Sequence, residues 1–379
     1  MAEADRDEPR RLREGVEAGS HRRVMQRATV MDSDFLIRPD ELTLRFLHPA
    51  PARALSYKTA GGDLAAWRAT CQAKLAELLG LESSAPGEVT ELRRTTHDGV
   101  TVAALTMAVD PDLSVPAYLL LPETDAHPGT AAMAIHGHNV RTGAGCLGLE
   151  EGLYRGFAMA LARAGYVVLL PIHRGFGVLR DVAAQRPGYR MDYEQSVHFP
   201  YVTDTFVHGR TVVGENVADL LRWEQWLAEA HGVGRVLAAG LSYGGDLTFT
   251  YPVFSERVER LFASGSSGSF ELHFCRCYNG PAHCVPGILD WMDRSDIAGL
   301  NAPRPLAVHY GELDTPCLNE PGDENWAAAY NESVPAFFDE ARAIYAAAGA
   351  ADNIHLIVTP GIGHMMDTGA LLAFFREAD

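Results

Sequence analysis

The chain has 379 residues, 47% of them hydrophobic and 21% charged, and its 49 acidic against 32 basic side chains leave a formal net charge of −17. That is ample apolar material for one large core and excludes general disorder, while the acidic balance argues against nucleic acid or an anionic membrane as a partner. Six cysteines, at positions 71, 146, 275, 277, 284 and 317, form no disulfide framework and suit a reducing compartment.

From Met1 to Arg23 the chain is highly charged and has neither an apolar face nor the apolar core of a secretory signal, so it reads as a partly disordered lead. No later segment reaches the ~18 uninterrupted apolar residues of a membrane span, and the expectation is a soluble, cytoplasmic protein. Between about 62 and 82, Leu64, Trp67, Cys71, Leu75, Leu78 and Leu79 recur at helical spacing and Gly80 supplies a stop. The stripe predicts an amphipathic helix packed on a sheet or on a neighbouring subunit of a homo-oligomer. Residues 1–84 are read as an N-terminal extension and 85–379 as one larger domain.

Glu88 to Thr96 and Val100 to Val109 read as a hairpin turned by His97-Asp98-Gly99. The strand Ala131-Ala132-Met133-Ala134-Ile135 runs into the loop His136-Gly137-His138-Asn139, and Tyr166 to Pro171 forms another strand before His173-Arg174-Gly175-Phe176-Gly177. Between Asp181 and Val213 lies an insertion dense in aromatics, among them Tyr189, Tyr193, Tyr201 and Phe206, read as a lid or pocket wall, with a packing insert over an exposed sheet edge as the alternative. A helix over Gly214 to Ala230 then crosses back to the sheet.

The next strand, Arg235-Val236-Leu237-Ala238-Ala239, enters Gly240-Leu241-Ser242-Tyr243-Gly244-Gly245, and a helix-compatible segment leaves from Asp246. A serine on such a sharp strand-to-helix turn is forced into strained backbone angles and projects its hydroxyl into a cleft. Two loops downstream supply the groups that would activate it. The strand Arg304 to Tyr310 leads to Gly311-Glu312-Leu313-Asp314, where Asp314 is the chosen carboxylate and Glu312 its competitor. The strand Ile354 to Val358 leads to Thr359-Pro360-Gly361-Ile362-Gly363-His364, making His364 the expected base. An oxyanion would be met by the backbone N–H of Tyr243 and, from the loop after the earlier strand, that of His138.

With these residues placed, the chain resembles the α/β-hydrolase superfamily, and within it the acetyl xylan esterase and cephalosporin deacetylase-like group of bacterial esterases. Val115 to Pro122, Arg174-Gly175-Phe176-Gly177 and Ala302-Pro303-Arg304-Pro305-Leu306 are similar to segments of that group. The resemblance covers roughly 85–379 and implies an α/β fold: a mostly parallel sheet of about eight strands, helices on both faces, and lid-like insertions near 181–213 and 271–303. It implies a serine hydrolase cleaving a small-acyl carboxylic ester, with no cofactor. Carbon–carbon bond hydrolysis, acyl transfer and thioester hydrolysis would use the same residues, and a binding protein that kept the scaffold is a further alternative. His138 stands where that group often has tyrosine or glycine. His136, Arg174, Tyr193 and His283 are candidate substrate contacts. His283 belongs to a loop, 273–284, holding three cysteines and two histidines; without C-x-x-C pairs it reads as reduced packing, and no metal is expected.

Overall fold

The computed structural model describes residues 53–82, 85–138, 143–176, 198–271, 280–314 and 324–377. Its strands are β1 (Val89–His97), β2 (Val100–Asp110), β3 (Leu113–Leu121), β4 (Thr130–Ile135), β5 (Val167–Pro171), β6 (Arg235–Leu241), β7 (Val258–Ser264), β8 (Leu306–Gly311) and β9 (Ile354–Thr359). Among them run the helices α1 (Tyr57–Ala60), α2 (Leu64–Leu79), α3 (Phe157–Arg163), α4 (His198–Val207), α5 (Val212–His231), α6 (Tyr243–Thr250), α7 (Arg294–Gly299), α8 (Glu324–Ala347) and α9 (Thr368–Arg376).

The strands form one nine-stranded sheet in the order β1-β2-β3-β5-β4-β6-β7-β8-β9, one strand more than expected. β4 to β9 pair in parallel, whereas β1, β2 and β3 form an antiparallel flank that joins the rest through β5. The flank begins as the predicted hairpin: Asp98 and Gly99 take positive φ, 49° and 75°, as a two-residue hairpin turn requires. Parallel strands need long crossovers, and the helices that supply them cover both faces. Along β4, Ala131, Met133 and Ile135 therefore join one core and Ala132 and Ala134 the other, and every residue of the strand is buried.

α2 delivers the predicted stripe, since Trp67, Cys71, Leu75 and Leu79 are buried in the same core as α5 and the sheet. Asp63 caps its start by accepting the N–H of Ala65, and Gly80 ends it in a left-handed conformation. Thr211 then locks this end to the next helix: its hydroxyl donates to Leu79 C=O at 3.0 Å and accepts from Gly214 N–H at 2.9 Å. α5 thus starts two residues before the expected Gly214 because Thr211 caps it. Part of the aromatic insertion is helical as α4, where Tyr201 and Phe206 pack on the core; Tyr189 and Tyr193 lie outside the described residues. Among the described residues, no helix is long and apolar enough to cross a membrane.

The topology has a switch point between β4 and β6. From β4 the chain turns to α3 on one face of the sheet, whereas from the adjacent β6 it turns to α6 on the other. Diverging crossovers leave the carboxyl ends of β4 and β6 open between them, the usual position of a ligand site in open α/β sheets.

Candidate active site

Ser242 stands at that switch point, directly after β6, with φ 61° and ψ −125°, a conformation an L-residue adopts at a cost of about 1–3 kcal/mol. The surroundings hold it there. Its N–H donates to Ser264 C=O at 2.9 Å, and its own C=O accepts from Asp246 N–H at 3.1 Å. A methyl group on Gly244 would lie 2.1 Å from Ile135 C=O, so only glycine lets α6 start against the end of β4. Across the turn, a methyl on Gly137 would sit 2.8 Å from Ser242 Cβ and 3.2 Å from Tyr243 N, which puts the His136-Gly137-His138 loop directly beside the elbow. The Tyr243 ring is fully buried and its hydroxyl accepts from Asn216 Nδ2 at 2.9 Å, anchoring the first residue of α6.

Asp314 and His364 come from the loops after β8 and β9, on the same edge of the parallel strands as Ser242. His364 Nδ1 lies 2.9 and 3.1 Å from the two Asp314 carboxylate oxygens, and Asp314 is only 1% exposed. Since a carboxylate only accepts, Nδ1 carries the proton and Nε2 is left as the basic nitrogen. Glu312, the competing acid, is exposed and accepts the N–H of Gly361 at 2.9 Å, bracing the histidine loop without touching the imidazole. Between the elbow and the imidazole stands Gly265, where a methyl would meet His364 Cε1 at 2.7 Å and Leu241 Cδ1 at 3.1 Å. The ring and the end of β6 are therefore neighbours.

No family profile matches the chain, and no curated relative is similar to it at a significant level. Solved structures do match in shape. A candidate acetyl xylan esterase from Bacteroides fragilis superposes with a TM-score of 0.68 at 14% identity, over 90% of this chain and 95% of the other. A methylesterase gives 0.56 at 18% identity, over 89% and 67%. A glucuronoyl esterase from Solibacter usitatus gives 0.52 at 15% identity, over 86% and 98%. The fold is that of the α/β-hydrolases.

Within this hydrolase fold, three of the four expected substrate contacts turn out to be spent on the scaffold. His136 is fully buried: Nδ1 donates to Gly137 C=O at 2.8 Å and Nε2 accepts from His173 N–H at 3.1 Å. It latches the loop after β4 to the loop after β5 and presents nothing to a ligand. Arg174 is 7% exposed and grips Asp219 with Nε and Nη2 at 2.6 and 2.9 Å, while Nη1 reaches Glu215. Both carboxylates are on α5, so the arginine ties the β5 loop to that helix. His283 is 6% exposed, with Nδ1 2.5 Å from Asp246 Oδ2 and Nε2 3.3 Å from His138 Nδ1. It stands behind His138 as a support. Tyr193 lies outside the described residues.

Two polar groups that the sequence reading passed over complete this support. Asp246, one helical turn after Ser242, also pairs with Arg294 and accepts from Ser266. Its spacing from the nucleophile was a readable signal; the partnership with Arg294 was not. Among the described residues no group of three or more metal-binding side chains assembles, and residues 273–279 of the Cys/His-rich loop lie outside the described set.

The buried histidines make stability depend on pH. Burial pushes His136 to about 4 and His309 to about 4, the latter against the opposing pull of Asp367 and Asp314. An unfolded imidazole titrates near 6.5, so the unfolded chain binds protons first. The stability is then present above that value and lost as pH falls toward about 4. Asp296, raised to about 6 by burial, opposes this with one proton. Melting temperature should therefore fall from pH 6.5 to 4.5, and fall less in His309→Gln, which has lost one of the titrating rings. Equal slopes in calorimetry of the two proteins would show that His309 is not among the groups responsible.

Proposed function

We propose that the protein is a serine hydrolase of carboxylic esters, with Ser242 as nucleophile, His364 as general base and acid, and Asp314 orienting it. The observation that carries this reading is the two-oxygen contact of buried Asp314 with His364 Nδ1, beside a serine held at positive φ. A serine hydroxyl is a poor nucleophile until a base removes its proton during attack. His364 Nε2 would take that proton and pass it to the departing alcohol, leaving an acyl group on Ser242 Oγ. Water, deprotonated by the same nitrogen, would release the acid. Asp314 would favour the imidazolium formed in both steps. The N–H groups of Tyr243 and His138 would receive the oxyanion, an arrangement supported by the approach of Gly137 to Tyr243 N.

The similar folds belong to proteins described as acetyl xylan, methyl and glucuronoyl esterases, which favours an ester in which one side is small and the other a larger polar alcohol or acid. The test is intact mass after treatment with a fluorophosphonate, run beside turnover of p-nitrophenyl acetate and octanoate. One adduct per chain and faster cleavage of the acetate are expected. No adduct and no ester cleavage would remove the hydrolase reading and leave the scaffold as a binding protein.

A further inference from the structure

His309, midway along β8, is fully buried yet polar at both ring nitrogens. Nδ1 lies 2.7 Å from Ser264 Oγ at the end of β7, and Nε2 lies 3.1 Å from Thr359 Oγ1 at the end of β9. Thr359 Oγ1 is in turn 2.7 Å from Asp367 Oδ2. The directions of these bonds follow from the carboxylate. Although partial burial works the other way, hydrogen bonds from Thr359 and from Ala370 N–H hold the Asp367 carboxyl below its usual range, so it accepts. Thr359 must donate to it and therefore accepts from His309 Nε2–H. That leaves Nδ1 as an acceptor, and the Ser264 hydroxyl donates to it.

On both sides the chain of bonds reaches the backbone next to the proposed reacting groups. Ser264 C=O accepts the N–H of Ser242, and His309 C=O accepts the N–H of Gly265, the glycine against His364. At the far end, Thr359, the last residue of β9, and Asp367, the N-cap of α9, flank the loop that carries His364, and their bond closes that loop at its base.

We propose that His309, acting with Ser264, Thr359 and Asp367, is a positioning residue that sets the distance between the Ser242 elbow and the His364 loop. This rests on the hydrolase reading given above. A chain of four groups bonded in one direction has no slack: each member fixes the rotamer of the next, and the spacing of three neighbouring strands is transmitted to the base. An error of about 1 Å in such placement can cost about a hundredfold in rate.

Thr359→Val removes one oxygen and keeps the shape, and Thr359→Ser keeps the oxygen. Thr359→Val should lose about 10- to 100-fold in kcat and in fluorophosphonate labelling rate, with KM nearly unchanged, and Thr359→Ser should recover most of both. Ser264→Ala cuts the same chain at the other end, so the double variant should lose little more than the worse single one. The proposal is overturned by a folded Thr359→Val with wild-type kcat and labelling rate, by equal losses in the valine and serine variants, or by losses that multiply in the double variant. A wild type that takes no label at all removes the hydrolase reading and this proposal with it, whereas a labelled wild type with indifferent variants removes this proposal alone.

Discussion

Ser242→Ala should lose about six orders of magnitude in turnover, the scale seen when a serine nucleophile is removed from a working site. The fold should hold. Alanine at φ 61° is no more strained than serine, and the bonds that fix the elbow are made by the backbone N–H and C=O of this residue, which the substitution keeps. The residual rate would come from whatever the oxyanion donors and ground-state binding still provide. The measurement is kcat on p-nitrophenyl acetate together with a denaturant midpoint for each protein. A variant within tenfold of wild type would place the nucleophile elsewhere, while a lost midpoint would mean that the hydroxyl has a structural partner.

Asp314→Asn is expected to cost about four orders of magnitude, and Glu312→Gln less than tenfold. The amide is nearly the same size, so the difference lies in the proton. An asparagine NH₂ facing His364 Nδ1 would hold that nitrogen as an acceptor and move the ring proton to Nε2, where the base must be empty. Among the described residues Glu312 bonds to the N–H of Gly361, which a glutamine oxygen can still accept. Kinetics of the two variants side by side decide it. If Glu312→Gln were the severe one, the acid would have to be reassigned against the geometry at His364.

The parts of this architecture that were legible in the sequence are those where one short segment must satisfy a local demand. Asp98-Gly99 is such a case, because a two-residue hairpin turn needs positive φ at both positions. Gly80 at the end of α2 and Gly240, Gly244 around Ser242 are others. The order of Ser242, Asp314 and His364, each after a strand, was equally readable, since the strands are apolar runs and the loops carry the chemistry. What failed was the assignment of roles to buried polar groups. His136, Arg174 and His283 sit in loops next to the elbow, and nothing in their neighbours along the chain says that they point inward. Apart from Gly137 C=O beside His136, the partners that hold them, His173, Asp219 and Asp246, lie far away in sequence and are chosen by packing. His309 was hidden for the same reason, as one polar residue within an apolar strand whose donor comes from β7 and whose acceptor comes from β9.

The parallel half of the sheet also bears on the order of events in refolding. Ser242, Asp314 and His364 hang from the ends of β6, β8 and β9, and β7 lies between the first and second of these. Each parallel pairing must wait for a crossover to close, so contacts of this kind form slowly. The hairpin of β1 and β2 has no such delay. On the proposed function, reactivity at the serine would therefore report the last stretch of assembly, when all four strands stand in register, and its return would date the completed sheet more sharply than recovered helix or collapsed volume.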